Sequence, residues 1–318
     1  MIRLFFLLFL LLLTALRAAA DEYTDPVSNV VYSFDPEGGN AMVKARPYYE
    51  DEDADARLSD ITGYSLDDYG VHGDIYILDH FIVDGKEYMV TRIGEGAFYY
   101  NHRITSVVIP ETIESIGSDA FQLCETLKSV SLPNTLKVIG GAAFSRCSSL
   151  TSITIPGGVK TIESSAFWGC SSLSEVILGD GIESIGSGSF YNTAIAGLTI
   201  PASVNDIGSK ALWIESLNTV TSLIEDPSEV GDICDFENSQ IKLFVPKGTK
   251  EKYKACDGWN LFNSIEEIEV TGIGGAPHLD DNVEMNDKRV GVYDLQGRRI
   301  NGEPKRGLYI RDGKKVIK

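Results

Sequence analysis

A 23-residue repeat between Val90 and Pro201 constrains the fold of this chain more than any other feature. Four copies of this length occupy residues 90–112, 113–135, 136–158 and 159–181; a 22-residue copy follows at 182–203, and a decayed sixth copy begins at Val204. Two apolar columns run through the copies. They are Ile93, Ile116, Ile139, Ile162, Ile185 and Ile207, and then Phe98, Phe121, Phe144, Phe167, Phe190 and Leu212. A fixed period of about 20–29 residues with such columns predicts a stacked solenoid.

Each copy is too short to bury its own apolar side, so neighbouring copies must cover one another. In the third copy Ile153 and Ile155 alternate with polar residues, as they would in a strand with one buried face. The stretch from Ile139 to Cys147 is rich in small residues, which favours a tight turn and a short helical or 3-10 return. We therefore expect a β-rich solenoid of about six coils with the phenylalanines in its interior.

The regular columns of the copies also carry a family resemblance. Their consensus is I-x-x-I-G-x-x-A-F-x-x-C-x-x-L-x-x-V-x-I-P-x-x. It resembles the BspA-type leucine-rich repeat of bacterial surface and secreted proteins, over the stretch from Tyr88 to Ile265. The resemblance implies a right-handed leucine-rich-repeat stack with a ladder of strands on one side. It also implies a role in adhesion and in the binding of host proteins.

The first 20 residues are typical of a signal peptide. A short positive start and the apolar stretch from Leu4 to Leu16 precede small residues that end at Ala20, so the mature chain is expected to begin at Asp21. The apolar stretch is short for a spanning helix, and we expect no membrane span in the mature chain. An uncleaved membrane anchor is the alternative. Export places the protein outside the cell, either secreted or on the cell surface.

The remaining segments define the predicted domain organisation. Residues 21–89 are expected to form an N-terminal β cap with a hairpin that turns at Asp84-Gly85. Residues 90–270 form the solenoid, whose degenerate end includes a strand at Leu243–Pro246, a short helix capped by Thr249 and a closing strand at Ile265–Val270. Residues 271–287 are a linker, and residues 288–318 are a small basic β tail.

The β tail is predicted to contain three short strands, with its last turn at Asp312-Gly313. It resembles the C-terminal sorting tails of Bacteroidetes secreted proteins, although those are often longer. This resemblance implies that the tail engages the secretion machinery. The alternative is a purely structural tail that docks on the acidic body.

Charge excludes several classes of partner. Without residues 1–20 the chain has 26 Lys and Arg against 46 Asp and Glu, a net charge of −20. The tail alone carries +7, which leaves −27 on residues 21–287. Such an acidic body repels nucleic acid and anionic membrane surfaces, so neither is expected as a partner.

The sequence contains no established catalytic motif, and we expect neither a cofactor nor a bound metal. Asp51-x-Asp53-x-Asp55 imitates the start of a calcium loop, but glycine and glutamate are missing at its later positions. Cys124, Cys147 and Cys170 share one column and are interpreted as small buried plugs rather than as a metal or thiol ladder. Pairing of Cys234 with Cys256 is left open.

The outward side of the strands is the first candidate binding surface. Its central positions are Ser129, Ser131, Ser152, Thr154, Glu175 and Ile177. This strip is flat and rich in hydroxyl groups, and such side chains seldom dominate binding. A merely solvated sheet is therefore the alternative interpretation.

The position after each core ring provides the second candidate. It holds, in order, Tyr99, Gln122, Ser145, Trp168, Tyr191 and Trp213. Gln122 and Ser145 indicate that the position faces solvent, so the three consecutive aromatic residues should form an exposed stripe. The alternative is that these residues cover the decayed C-terminal coils.

These features predict an exported, non-enzymatic recognition module that binds an extracellular protein, in the manner of a surface adhesin. One alternative is an accessory protein that captures carbohydrate with the aromatic stripe. Another is an architectural spacer. The chemistry of the ligand separates the first two, because a glycan binder requires exposed aromatic faces whereas a protein adhesin can use a broad polar sheet.

Overall fold

The computed structural model describes residues 22–25, 30–44, 71–230, 233 and 240–270, together with the strand residues 292–293, 308–311 and 314–317. The chain divides into two compact units, Met1–Gly275 and Ala276–Lys318. In its described part the first unit is a β-solenoid, as predicted. The predicted signal peptide, the predicted linker and the acidic run at Asp51–Asp55 lie outside the described residues, and the predicted domain boundaries stay predictions.

Six strands begin before the first repeat copy, and the last of them runs into it. They are β1 (Glu22–Thr24), β2 (Val31–Phe34), β3 (Asn40–Val43), β4 (Gly73–Tyr76), β5 (His80–Val83) and β6 (Lys86–Ile93). Strands β1, β2 and β3 form an antiparallel meander, and β3 pairs in parallel with β6. Strands β5 and β6 form the predicted hairpin. Asp84 and Gly85 have φ of 51° and 76°. These values agree with the predicted type I′ turn, which needs positive φ at both central positions.

The coils contribute two sets of parallel strands. The long strands are β7 (Ile104–Val108), β9 (Ser129–Ser131), β11 (Ser152–Ile155), β13 (Glu175–Leu178), β15 (Gly197–Ile200) and β17 (Thr219–Ser222). The two-residue strands are β8 (Ser115–Ile116), β10 (Val138–Ile139), β12 (Thr161–Ile162), β14 (Ser184–Ile185) and β16 (Asp206–Ile207). Residues one repeat apart lie opposite each other, as do Ser152 and Glu175. The isoleucine column thus forms a second ladder, which continues from β6 to β16.

The prediction of a helical or 3-10 return after each isoleucine is wrong. The chain instead makes consecutive turns, in which Ala142 and Arg146 adopt φ of 52° and 58°. The N–H group of Phe121 donates to the carbonyl oxygen of Ala143 in the next coil at 2.7 Å. The N–H group of Leu123 likewise donates to the carbonyl oxygen of Ser145 at 2.8 Å. Because these N–H groups pair between coils, they are not available for the bonds of a helix.

The core is a continuous stack of the predicted columns. Phe121, Phe144, Phe167 and Phe190 are fully buried, and so are the isoleucines from Ile116 to Ile185. Consecutive phenylalanine rings lie 5.1–5.5 Å apart between their centroids and are within 4° of parallel. This confirms that the phenylalanine column fills the space between the two sides of the solenoid.

The three column cysteines are also fully buried, as the plug interpretation requires. Each thiol donates to the carbonyl oxygen of the core phenylalanine in the preceding coil. The Sγ atom of Cys147, for example, lies 3.1 Å from the carbonyl oxygen of Phe121. Burial raises the pKa of the Cys124 and Cys170 thiols to about 12. A thiol held neutral in this way is unreactive. Cys234 lies outside the described residues, so its pairing with Cys256 stays untested.

The residue after the column isoleucine must be small because adjacent coils approach closely there. A Cβ atom added at Gly140 would lie 2.6 Å from the backbone nitrogen of Ser118. Gly94, Gly117, Gly186 and Gly208 occupy the same position in other coils. Glu163 is the exception, and its N–H group lies 3.4 Å from the carbonyl oxygen of Ile139, against 2.9 Å for the bond of Gly140 to Ile116. The larger residue is accommodated by a longer bond between coils.

Ser189 is a polar residue in a column that is otherwise alanine. It is fully buried, and its hydroxyl has no hydrogen-bond partner among the described residues. An unsatisfied buried hydroxyl destabilises a protein by about 1–3 kcal/mol. We therefore expect Ser189→Ala to raise the free energy of unfolding by about 1 kcal/mol, measured by urea titration. The exposed Ser171→Ala serves as the control and should change it by less than about 0.5 kcal/mol. A Ser189→Ala protein less stable than the parent would show that the hydroxyl is satisfied.

The C-terminal end of the solenoid extends the long-strand ladder. It contains a 3-10 helix (Pro227–Glu229), β18 (Lys242–Pro246), α1 (Lys250–Ala255), a second 3-10 helix (Trp259–Leu261) and β19 (Ser264–Ile268). Strands β17, β18 and β19 are parallel neighbours, which confirms the predicted strand and closing strand. Helix α1 begins after Thr249, as predicted, but the Thr249 hydroxyl donates to the carbonyl oxygen of Pro246 at 2.7 Å. The prediction that this side chain caps the helix is therefore wrong.

The second unit contains the small β tail. Its described strands are β20 (Val292–Tyr293), β21 (Leu308–Arg311) and β22 (Lys314–Ile317). They form an antiparallel sheet in that order, which confirms three short strands. Arg311 lies opposite Lys314, and the predicted turn residues between them lie outside the described residues.

Candidate recognition surfaces

The predicted strand surface is exposed along its length. Ser129, Ser131, Ser152, Thr154, Glu175 and Ile177 are all accessible to solvent. Ile177, opposite Thr154, is the largest apolar side chain among these six and is 52% exposed. The surface is otherwise composed of hydroxyl groups and one carboxylate, residue types that contribute little binding energy individually.

The predicted aromatic residues come together in three successive coils. The ring centroids of Trp168 and Tyr191 lie 6.2 Å apart with an interplanar angle of 14°, and those of Tyr191 and Trp213 lie 6.3 Å apart at 39°. All three side chains are half-buried. The turns that carry them are fixed by the hydrogen bonds between coils, so the column is held rigidly.

Two cations complete this group. The guanidinium carbon of Arg146 lies 4.8 Å from the centroid of the Trp168 ring, and the ammonium of Lys210 lies 5.1 Å from that of Trp213. Both distances are within the range of cation–π attraction. We call Trp168, Tyr191 and Trp213, together with Arg146, the aromatic column, and Lys210 lies at its C-terminal end. Trp168 has Arg146 over its ring and Tyr191 stacked beside it, so the column presents ring edges to solvent more than ring faces.

Sequence reasoning missed Arg146 and misplaced Ser145. Ser145 is only 3% exposed, so the inference that its position faces solvent is wrong in this coil. Arg146 lies 22 residues before Trp168, one residue less than the repeat length. This spacing was the signal in the sequence that the two side chains lie close together in adjacent coils.

A second exposed aromatic group lies in the first coil. Tyr99 and Tyr100 are 36% and 41% exposed. The ring of Tyr100 makes an edge contact with His102 at 4.3 Å, and the Nδ1 atom of His102 lies 3.6 Å from a carboxylate oxygen of Glu125. The coils of Gln122 and Ser145 separate this group from the aromatic column.

Within residues 22–25, 30–44, 71–230, 233 and 240–270, no three or more His, Cys, Asp and Glu side chains are grouped so as to hold a metal. Across the same residues, no helix is both long enough and apolar enough to cross a bilayer.

The repeat period, the parallel ladders and the phenylalanine stack agree with a comparison against known protein families. Residues 91–218 match six copies of the BspA type leucine-rich repeat region. No curated protein matches the chain. The matched residues occupy the part of the solenoid that contains the aromatic column and the strand surface.

Several solved leucine-rich-repeat structures are similar to the chain. A Treponema pallidum leucine-rich-repeat protein is 22% identical, with a TM-score of 0.46, over 63% of this chain and 86% of that one. A leucine-rich cell surface protein of Faecalibacterium prausnitzii is 19% identical, with a TM-score of 0.42, over 80% and 95% of the two chains. A leucine-rich repeat protein of Bacteroides capillosus is 21% identical, with a TM-score of 0.33, over 64% and 98%.

Proposed function

We propose that this protein is an exported, non-enzymatic recognition module that binds an extracellular protein through the edge of the aromatic column. The observation that carries the proposal is the rigid, half-exposed stack of Trp168 and Tyr191 beside Arg146. Tryptophan, tyrosine and arginine are the residue types that dominate the energetics of protein interfaces. Their rotamers are already restricted by stacking, so little side-chain entropy is lost when a partner binds.

Ring geometry favours a protein over a carbohydrate as the ligand. A sugar ring stacks on an aromatic face, whereas the faces of Trp168 and Tyr191 lie against Arg146, against each other and against Trp213. The exposed edges of aromatic rings carry partial positive charge and attract carbonyl and carboxylate oxygens. A polypeptide provides such oxygens on every residue. A carbohydrate-capturing accessory role and a purely architectural spacer are the competing proposals.

Export is the second part of the proposal. It rests on the signal-peptide pattern of residues 1–20 and on the resemblance to bacterial surface and secreted proteins. Protein secreted into the medium or held on the cell surface should begin at Asp21. The β tail is proposed to engage the secretion machinery, which deletion of residues 288–318 tests through the amount of protein exported.

Binding is tested with a panel of immobilised extracellular-matrix proteins and with a glycan array. For whichever of these the parent protein binds, we expect Tyr191→Ala to weaken affinity by at least tenfold, because central interface aromatics contribute about 2 kcal/mol or more. Arg146→Gln should also weaken it, and this exposed residue can be changed without touching the core. Melting temperatures of all variants are measured in parallel.

The matched control changes the other candidate surface. Ser131→Arg combined with Thr154→Arg places two large cations on the strand surface and should leave the affinity of a column-bound ligand within twofold. If the strand-surface variant loses binding while Tyr191→Ala retains it, the strand surface is the site. If the parent protein binds only to the glycan array, carbohydrate capture replaces protein binding as the proposed function. If all variants keep the affinity of the parent, neither surface is the binding site.

A further inference from the structure

A groove of about 670 Å³ lies at the C-terminal end of the solenoid, and none of the residues of the aromatic column lines it. It is bordered by the segments that follow strands β13, β15, β17 and β19, by the last residue of β18, and by the 3-10 helix Pro227–Glu229. Its volume is within the range of about 300–1,000 Å³ that is typical of ligand sites. The segment from Leu223 to Val230, which supplies much of its lining, departs from the repeat.

The lining of the groove combines apolar side chains with carboxylates. Leu223 and the 48% exposed Val270 supply accessible apolar surface, next to the buried Ile224. Asp180 and Glu229 are exposed acidic residues at its border. Glu225 and Asp226 add two further carboxylates. The side-chain carboxylates of Asp180, Glu225 and Glu229 have no hydrogen-bond or ion-pair partner within the part of the chain that the structure describes.

One contact already shows that this border accommodates an ammonium group. The Nζ atom of Lys252, which extends from α1, lies 3.2 Å from the carbonyl oxygen of Glu225 and 3.4 Å from a carboxylate oxygen of Asp226. The same border, however, does not hold three carboxylates close enough together to bind a metal ion among the described residues. The groove therefore suits an organic cation with an apolar stem better than it suits an inorganic ion.

We propose that this groove is a second binding site, distinct from the aromatic column, for an extended segment of a partner protein in which lysine or arginine alternates with apolar residues. The long stems of lysine and arginine can lie along apolar surface while their charged ends reach carboxylates. The charge of −27 on residues 21–287 attracts such a segment from a distance. The carboxylates of Asp180, Glu225 and Glu229 then pair with its cationic groups.

A blocked five-residue peptide of alternating lysine and leucine, Ac-KLKLK-NH2, is the first probe, titrated by calorimetry at 0.15 M salt. We expect saturable binding with one site per chain. Replacing both leucines with serine keeps the charge and should weaken binding at least tenfold, because the apolar lining of the groove loses its ligand. Equal affinity for the two peptides would overturn the proposal, since non-specific attraction by an acidic body depends only on charge.

Charge-matched variants locate the site. Glu225→Gln combined with Glu229→Gln should weaken binding of Ac-KLKLK-NH2 at least tenfold. The control, Glu175→Gln combined with Glu266→Gln, removes the same charge from exposed positions of the strand ladder and should change it less than twofold. Equal losses in the two pairs would refute the groove as the site. Both pairs exchange exposed side chains of the same shape, and thermal melts verify that they fold.

Two further experiments distinguish peptide binding in the groove from binding at the aromatic column and from self-association. Tyr191→Ala should leave the affinity for the lysine–leucine peptide unchanged. The proposal for the groove can therefore be refuted without refuting the proposal for the aromatic column, and the reverse also holds. Sedimentation analysis without peptide tests whether a second copy of the chain fills the groove. A concentration-dependent dimer that the peptide cannot displace would assign the groove to self-association and overturn the proposal.

Discussion

Replacing Phe144 with alanine is expected to lower the free energy of unfolding by about 3–5 kcal/mol, the largest effect of any single substitution proposed for this protein. The Phe144 ring is fully buried between those of Phe121 and Phe167, at centroid distances of 5.1 and 5.4 Å. Its removal leaves a cavity that two coils share. Because each coil is stabilised chiefly by its neighbours, the loss should extend to amide protection in the adjacent coils.

Urea titration and hydrogen exchange measure this effect. Phe144→Leu retains most of the side-chain volume and serves as the control, with an expected loss of about 1.5 kcal/mol or less. If Phe144→Ala melts within a degree or two of the parent, the phenylalanine stack does not stabilise the solenoid. If amide protection is lost in one coil alone, the coils are less strongly coupled than the shared rings indicate.

Gly140→Ala should destabilise the protein by about 1–3 kcal/mol, because the added methyl group meets backbone that cannot move aside. Its Cβ atom would lie 2.6 Å from the nitrogen of Ser118 and 2.7 Å from the carbonyl carbon of Gly117. To relieve these contacts the coils must separate, as they already do at Glu163, where the hydrogen bond between coils lengthens to 3.4 Å. Chemical denaturation measures the loss.

The adjacent glycine provides a matched control. A Cβ atom added at Gly141 would meet atoms no closer than 3.6 Å, which is ordinary van der Waals contact. Gly141→Ala should therefore be neutral or slightly stabilising, since alanine reduces the entropy of the unfolded chain. The argument from coil spacing is contradicted if the two variants have the same stability.

The part of the fold that depends on side-chain periodicity was predictable from the sequence. Phe144 and Ile139 recur at a fixed spacing, and a residue that recurs in a column of a solenoid is buried in every coil. The long strands followed from alternation, as in Ile153 and Ile155. The hairpin at Asp84 followed from its turn residues, because few residues adopt positive φ readily.

The turns and the details of the candidate sites were not predictable in this way. Leu123 and Arg146 adopt positive φ although neither is a turn-forming residue, because hydrogen bonds to the next coil hold them there. That backbone conformation places Arg146 over the ring of Trp168, a contact that propensities do not encode. The groove draws on residues from Asp180 to Val270, so only the assembled coils bring its lining together.

The hydrogen-bond ladders also determine how the solenoid would respond to tension. Their bonds run along the solenoid axis, and an end coil has a neighbour on one side only, so a pull on the two ends of the stack detaches an end coil first. A coil of 23 residues adds only ~4.8 Å to the folded stack. The same residues extend to roughly 80 Å when they are drawn out. Each detached coil would therefore lengthen the chain by about 75 Å while the remaining coils keep their structure. A protein built in this way yields to force in steps, and a ligand bound to an inner coil can stay bound after an end coil has been lost.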